Sequence, residues 1–348
     1  MRIAQVAPLF ESVPPSLYGG SERVVSWLTE ELVALGHEVT LFASGDSRTS
    51  ANLIPVCPKA LWRDPNIRET LPHHVLLIEE VFKRSGEFDV IHFHCDYIHF
   101  PSLKCLKVPA VTTMHGLIHR PDHLDLFRAF SEVELVSISK SQRRPIPDAS
   151  WCGTVHHGMP PELHSFEARP EEYLLFLGRI SPDKGIVRAI EIANLSKRPL
   201  KIAAKIYDED LAYFEGRIKP LLNHEQVEFI GEVGGAVKNR LLGKAYGLLF
   251  PIEWEEPFGL VLIEALASGT PVIAWNRGAV PEIIENGVHG YVVDNVQQAV
   301  NAVRSLVHIR REVCRKRFEE KFISTQMAKN YVRIYRQQIY KGRGHGDG

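Results

Sequence analysis

The sequence predicts an α/β protein built from two Rossmann-like domains in tandem, and three observations carry that prediction. Short apolar runs alternate with helical patterns, the mark of parallel strands joined by crossover helices. The pattern starts at Arg2 and starts again at Glu172, after a proline-containing stretch of little periodicity over 145–172. At 348 residues the chain is also too long for one ordinary core, so two domains are the natural division.

Taken in order, residues 2–7 read as an apolar strand. A loop rich in proline and glycine follows, containing Gly19 and Gly20, then a helical pattern over 21–35 and an alternating strand over 37–43. Strand, glycine loop, helix and strand make a βαβ unit whose loop lies where such folds bind phosphate. Residues 89–94 and 110–115 are two further strands, ending in His94 and His115, and 134–139 is another. Ligands gather at the carboxyl ends of parallel strands, so His94, Asp96, His115 and Gly116 are expected to face one cleft. The second half repeats the scheme, with strands over 172–177, 200–206, 227–230, 247–251, 271–275 and 290–293. A basic loop, 178–184, and a helix over 185–193 follow the first of them. Near the end, Met327, Tyr331, Ile334, Tyr335 and Ile339 share one helix face, which is expected to pack on protein.

Composition narrows the function classes. A formal net charge of −1 gives no support for a surface that attracts nucleic acid or membrane as a whole. The five cysteines are scattered without a Cys-x-x-Cys, which argues for free thiols rather than a disulfide frame or zinc site. No uncharged apolar run approaches the roughly 20 residues that span a bilayer. The opening residues read as a first strand rather than a signal peptide, so the expected location is cytoplasmic.

The chemistry centres on the stretch EWEEPFGLVLIEALASG, from Glu253 to Gly269. Glu256 lies in the loop and Glu264 about two turns up the following helix. The amides of Phe258, Gly259 and Leu260 fall at the helix start, where no internal partner exists, and the helix dipole adds positive potential. That is a seat for a phosphate, with a carboxylate on either side to bind hydroxyl groups. The pattern suits a nucleotide sugar. In the loop GRISPDKG, Arg179 and Lys184 place two cations where a leaving diphosphate needs neutralising. Gly19 and Gly20 allow close backbone approach to the same phosphates. His115 reads as a general base, as a partner for a sugar hydroxyl, or as a satisfied strand-end histidine. His92, His94 and Asp96 suggest metal ligands, but alternation points the two histidines one way and leaves Asp96 in a loop, so no metal is expected.

Together these motifs resemble the retaining glycosyltransferases of family 4, which have the GT-B fold: two Rossmann-like domains facing each other across a deep cleft. The resemblance covers nearly the whole chain. It is strongest over 174–293, and most specific in the E-x7-E element from Glu256 to Glu264. YGGSE, TTMHG and GRISPDKG fit the same family. The sequence departs from it at His157-Gly158-Met159-Pro160, where relatives usually read asparagine-glycine-valine-aspartate, and at Ala203-Ala204-Lys205, where a glycine is common.

The resemblance implies a set of roles. Arg179 and Lys184 match the pair that holds the donor diphosphate, with Gly20 beneath it. Glu256 matches the carboxylate on the donor sugar, beside the amides of Phe258, Gly259 and Leu260. Glu264 matches the ribose ligand, and His115 the histidine near the sugar. The backbone around Lys205 and Val233 matches the nucleobase site. The expected catalytic set is therefore His115, Arg179, Lys184 and Glu256, without metal or other cofactor. The expected domains are an acceptor-side domain, 1–155, joined by a terminal helix, 325–341, and a donor domain, 156–324. The implied reaction moves a sugar from a nucleotide diphosphate, a UDP-sugar first and GDP-mannose second, to a hydroxyl acceptor of unknown type with the anomeric configuration kept. A nucleotide-sugar epimerase or hydrolase on the same fold is the alternative, as is a non-catalytic nucleotide-sugar binding protein. Peripheral contact with a membrane has no support in the sequence, and nucleic acid is not an expected partner.

Overall fold

Two all-parallel sheets form the chain, and the order of their strands decides where each leaves an opening. The computed structural model describes residues 1–16, 19–223 and 226–344. Contacts divide the chain into two units, one of Met1–Pro160 with Ser324–Gly348 and the other of Pro161–Ile323.

The first unit contains β1 (Arg2–Val6), β2 (Glu38–Ser44), β3 (Asn52–Cys57), β4 (Val90–Phe93), β5 (Ala110–Thr113), β6 (Leu135–Ser137) and β7 (Trp151–Thr154), in the order β3-β2-β1-β4-β5-β6-β7. The central strands are apolar on both faces because helices cover both sides of a parallel sheet. Ile3 pairs with Val39 on one side and Val90 on the other, and all three are buried. From β1 the chain builds outward through β2 and β3, then crosses back to lay β4 on the opposite side. That reversal opens a crevice at the carboxyl ends of β1 and β4. The helix Gly20–Ala34 is the next element after β1, and the glycine loop that joins them leaves from that crevice.

The second unit repeats the logic with β8 (Leu174–Arg179), β9 (Leu200–Lys205), β10 (Val227–Phe229), β11 (Gly247–Phe250), β12 (Val272–Trp275) and β13 (Gly290–Val293), in the order β10-β9-β8-β11-β12-β13. Its reversal falls between β8 and β11, so the loops carrying Lys184 and Glu256 flank one switch point. The helix Leu260–Ala267 has no polar stripe apart from Glu264, and it is buried from Leu262 to Ala267, as its uniform apolarity requires.

Two strands differ from the reading of the sequence. Within residues 145–172, a stretch of little periodicity in the sequence, Trp151–Thr154 pairs with β6 as an edge strand. Asn52–Cys57 is the opposite edge, in a segment that carried no readable pattern. Edge strands are half-solvated and tolerate proline, here Pro55, so neither a buried run nor a clean alternation marks them. The terminal helix Ser324–Gly344 belongs to the first unit, where Met327, Tyr331, Ile334 and Tyr335 are buried as their spacing predicts. Its first turn is tied to the helix Gly20–Ala34, since Ser324 Oγ and Thr325 Oγ1 donate to the Glu31 carboxylate at 2.6 and 3.0 Å. Among the described residues, no helix is long and apolar enough to cross a membrane.

Candidate functional site

In the second unit the site is built by bringing two loops into contact. Gly185, at φ 74°, follows the short turn Pro182–Lys184, and a Cβ there would sit 1.9 Å from the Pro251 carbonyl oxygen. Only glycine lets the loop after β8 lie against the end of β11 so closely. Glu253 N–H donates to the Asp183 carbonyl at 2.8 Å and closes the contact. Lys184 Nζ then donates to Glu256 Oε2 at 3.2 Å and lies 4.4 Å from the centre of the Trp254 ring. The Trp254 indole N–H donates to the same carboxylate oxygen at 3.0 Å. Gly278 holds the loop from behind: at φ 54°, its missing Cβ would fall 2.2 Å from the Glu256 carbonyl oxygen. Glu256 is 8% exposed, so its carboxylate depends on these donors rather than on water.

Behind this pair the helix Leu260–Ala267 begins. Its ladder opens with Leu262 N–H donating to the Gly259 carbonyl, so the Leu260 and Val261 amides precede it. Glu264, two turns along, receives Lys238 Nζ at 2.6 Å with both side chains largely buried. Lys238 lies on the separate helix Gly235–Lys244, and no motif in the sequence singled it out.

Arg179 ends β8 but does not pair with Lys184's partner. Its Nε donates to Asp210 at 2.7 Å and its Nη2 to Glu209 at 2.8 Å. The guanidinium lies 5.0 Å from the centre of the Tyr207 ring, and Lys205 Nζ lies 4.5 Å from the same ring. Lys205 also reaches Glu232, beside Val233, at 3.9 Å, which joins the loops after β9 and β10. Tyr207, Asp210 and Glu209 escaped the sequence reading because nothing local ties them to Arg179, about 30 residues upstream. The structure therefore gathers Lys184, Glu256, Phe258, Gly259 and Leu260 at one corner. Arg179 and Lys205 end the neighbouring strands β8 and β9, and Val233 lies in the loop after β10.

In the first unit Gly19 caps the helix Gly20–Ala34 at φ 135°, with its carbonyl accepting from Arg23 N–H at 3.1 Å. Tyr18, the first residue of YGGSE, lies outside the described residues. Glu22, the last, is buried, and burial pushes its carboxyl up to about 7. Asp96, at φ 51°, is exposed in the loop after β4. His115 is bound to a chain of polar side chains: its Nε2 lies 2.8 Å from His94 Nδ1, and His94 Nε2 lies 2.8 Å from Gln5 Oε1. Gln5 Nε2 donates to the Tyr335 hydroxyl at 3.0 Å, which is 2.7 Å from His92 Nδ1. His92 and His94 do point the same way, with ring centres 3.9 Å apart. Burial holds both well below the ordinary histidine range and lowers His115 to about 4, so all three are neutral at pH 7. Gln5 and Tyr335 are 330 positions apart, and only the fold reveals them as partners. Among the described residues, no group of three or more His, Cys, Asp or Glu is placed to hold a metal ion.

Comparison with known proteins agrees with this architecture. The family of glycosyl transferases group 1 matches residues 163–322, and glycosyltransferase family 4 matches residues 18–145. An uncharacterized glycosyltransferase of Methanocaldococcus jannaschii is 27% identical across 97% of this chain and 98% of its own length. A glycogen synthase of Mycobacterium tuberculosis is 26% identical over 80% of this chain and 79% of its own. The solved structure of AviGT4, a glycosyltransferase involved in avilamycin A biosynthesis, is 27% identical, covers 98% of both chains and superposes with a TM-score of 0.77. The chain belongs to the group 1 and family 4 glycosyltransferases of the GT-B fold, and it is an enzyme of glycosyl transfer.

Proposed function

We propose that the chain transfers a sugar from a nucleoside diphosphate donor to a hydroxyl acceptor with the anomeric configuration kept, using its own positive charge in place of a metal ion. The observation that carries this reading is the corner formed by Lys184, Glu256 and the first turn of the helix Leu260–Ala267. A cation, a carboxylate and outward amides at one point suit an anion bearing a polyol. In this reading the diphosphate sits against the Leu260 amide and Lys184, while Glu256 accepts from hydroxyls of the donor sugar. Glu264 takes the ribose hydroxyls, and the loops at Lys205 and Val233 hold the base.

When the bond from the anomeric carbon to the diphosphate oxygen breaks, negative charge builds on the leaving phosphate. Lys184 and the helix terminus meet that charge without reorganising, and fixed charges of this kind are the largest single source of rate in many enzymes. Arg179 adds a second cation: two of its donors engage Asp210 and Glu209, and its remaining donors serve the anion. The departing phosphate takes the acceptor's proton on the same face. Glu256 is committed to Lys184 and Trp254, so it serves hydroxyl binding rather than attack on the sugar. The first unit supplies the acceptor side, the location is cytoplasmic, and a UDP-sugar is the first donor to test, ahead of GDP-mannose.

The test is the melting temperature of the purified chain against UDP-, GDP- and ADP-sugars with EDTA throughout. A ligand at 100 times its Kd adds about 2.7 kcal/mol to folded-state stability. One nucleotide class should stand out. No shift with any of them removes the reading, and turnover of donor without an acceptor moves the enzyme to the epimerase or hydrolase class.

A further inference from the structure

We propose that Gln5 and His94 are positioning residues for glycosyl transfer, holding His115 as the Nε2–H tautomer so that its Nδ1 offers a lone pair to a hydroxyl of the bound sugar. The inference rests on the reading of function above for the identity of the ligand. The direction of the protons rests on the Gln5 amide, whose oxygen faces His94 and whose nitrogen faces Tyr335.

The starting point is Gln5, fully buried on β1. Its amide nitrogen donates to the Tyr335 hydroxyl on the terminal helix at 3.0 Å, which turns its carbonyl oxygen toward His94 Nε2 at 2.8 Å. A carbonyl oxygen only accepts, so His94 carries its proton on Nε2. A neutral imidazole has one N–H, which leaves His94 Nδ1 as an acceptor. The proton in the 2.8 Å bond between His94 Nδ1 and His115 Nε2 therefore comes from His115. His115 is then left with a lone pair on Nδ1.

The rest of the relay runs the same way. The Tyr335 hydroxyl, accepting from Gln5, can give its proton to His92 Nδ1 at 2.7 Å, which leaves His92 Nε2–H for Thr113 Oγ1 at 2.7 Å. Thr113 Oγ1 in turn lies 3.0 Å from the Tyr331 hydroxyl. These bonds pair the polar atoms of the relay with one another, and one is left over. His115 Nδ1 is buried without a hydrogen-bond partner. Buried polar atoms are nearly always paired, so an orphan calls for an explanation. Here it is an acceptor at the carboxyl end of β5, on the residue that closes the relay. A hydroxyl donor completes it, and the reactants of glycosyl transfer are rich in hydroxyls. The terminal helix thereby gains a role beyond packing, because its Tyr335 hydroxyl bonds both Gln5 and His92.

The tautomer can be read directly. Ring-15N histidine is incorporated into the full chain, and long-range 1H–15N spectra are recorded at pH 7 without ligand, with His115→Asn to assign the signal. The expected spectrum shows a protonated Nε2 and an unprotonated Nδ1 at His115. If Gln5 faces the other way, every bond reverses and the proton appears on Nδ1, which overturns the proposal without any variant having to fold. Gln5→Met, which removes the acceptor, should give a mixture of both tautomers and lower kcat by about tenfold, the worth of one hydrogen bond. An unchanged tautomer in folded Gln5→Met also overturns the relay. Saturation with a nucleotide sugar that raises the melting temperature should shift the His115 Nδ1 resonance, and no shift there removes the hydroxyl role. Absence of any stabilising nucleotide sugar instead strikes the reading of function, so the two failures are told apart.

Discussion

The two units hold their polar side chains by opposite means. In the first, Gln5, His92, His94, His115 and Tyr335 form a buried, uncharged relay in which each bond has a direction. In the second, Lys184 meets Glu256, Lys238 meets Glu264 and Arg179 meets Asp210, three ion pairs of 2.6–3.2 Å. A neutral relay fixes orientation, as a site that recognises hydroxyls requires. Ion pairs store charge that an arriving anion can draw upon, as a site that accepts a phosphate requires. The contrast teaches that each half is organised for the ligand chemistry it would meet. It can be broken or sharpened one pair at a time.

The largest expected effect falls on the charged side. Lys184→Ala should lower turnover by about 10²–10³, the usual cost of removing one fixed donor to developing charge. The same variant should cost about 2 kcal/mol in stability, because it leaves the largely buried Glu256 carboxylate without its cation. Steady-state kinetics beside urea denaturation separates the two, and near-normal turnover contradicts the role.

Next in size is the response of the neutral side to acid. Unfolded histidines protonate near 6.5, whereas folded His115 does so near 4, and His92 and His94 well below the ordinary value. Between these limits the unfolded state binds more protons, so the stability present above pH 6.5 is lost as pH falls toward 4. His115 alone should contribute a loss of about 1.5 kcal/mol between pH 6.5 and 5, and His92 and His94 add to it in the same direction. Glu22, raised from 4.5 to about 7, acts in the opposite sense, because it binds its proton when folded before it does so unfolded. Glu22→Gln should therefore steepen the loss, and denaturation midpoints across pH read both slopes.

A third effect is smaller. Lys238→Met leaves the Glu264 carboxylate buried without its cation and should cost about 2 kcal/mol, less than for a fully buried pair because Lys238 is 21% exposed. Lys238→Arg should recover most of it. The smallest effect is Arg179→Lys, which gives up the planar fork that spans Asp210 and Glu209. It should cost about 0.5–1 kcal/mol and lower turnover about tenfold.

How much of this was legible in the sequence follows from the range over which each signal acts. The buried strands announced themselves, because a parallel sheet covered on both faces needs continuous apolar runs such as Leu174–Leu177. The edge strands Asn52–Cys57 and Trp151–Thr154 did not, since half-solvated positions accept proline and polar residues alike. Glu256 and Glu264 were legible because loop and helix start are contiguous, and helix geometry fixes their spacing. Lys184 could be placed near them only through a repeated βαβ pattern. Lys238, Tyr207 and Asp210 were silent, because a lone lysine or a loop aspartate has no periodicity and its partner is chosen by the fold. His94 was noticed as a possible ligand and turned out to be a link between Gln5 and His115. The terminal helix was read correctly as packing on protein, but nothing in its stripe foretold that Tyr335 would bond Gln5 and His92.

The measurement that tests the central claim most directly is titration calorimetry of UDP, GDP and ADP into the wild-type chain and Lys184→Ala, in EDTA. The account predicts that one nucleoside diphosphate binds without any divalent ion and that the variant weakens its Kd by about tenfold or more. Binding that appears only after magnesium is restored, or binding to the folded variant at the wild-type Kd, would contradict it.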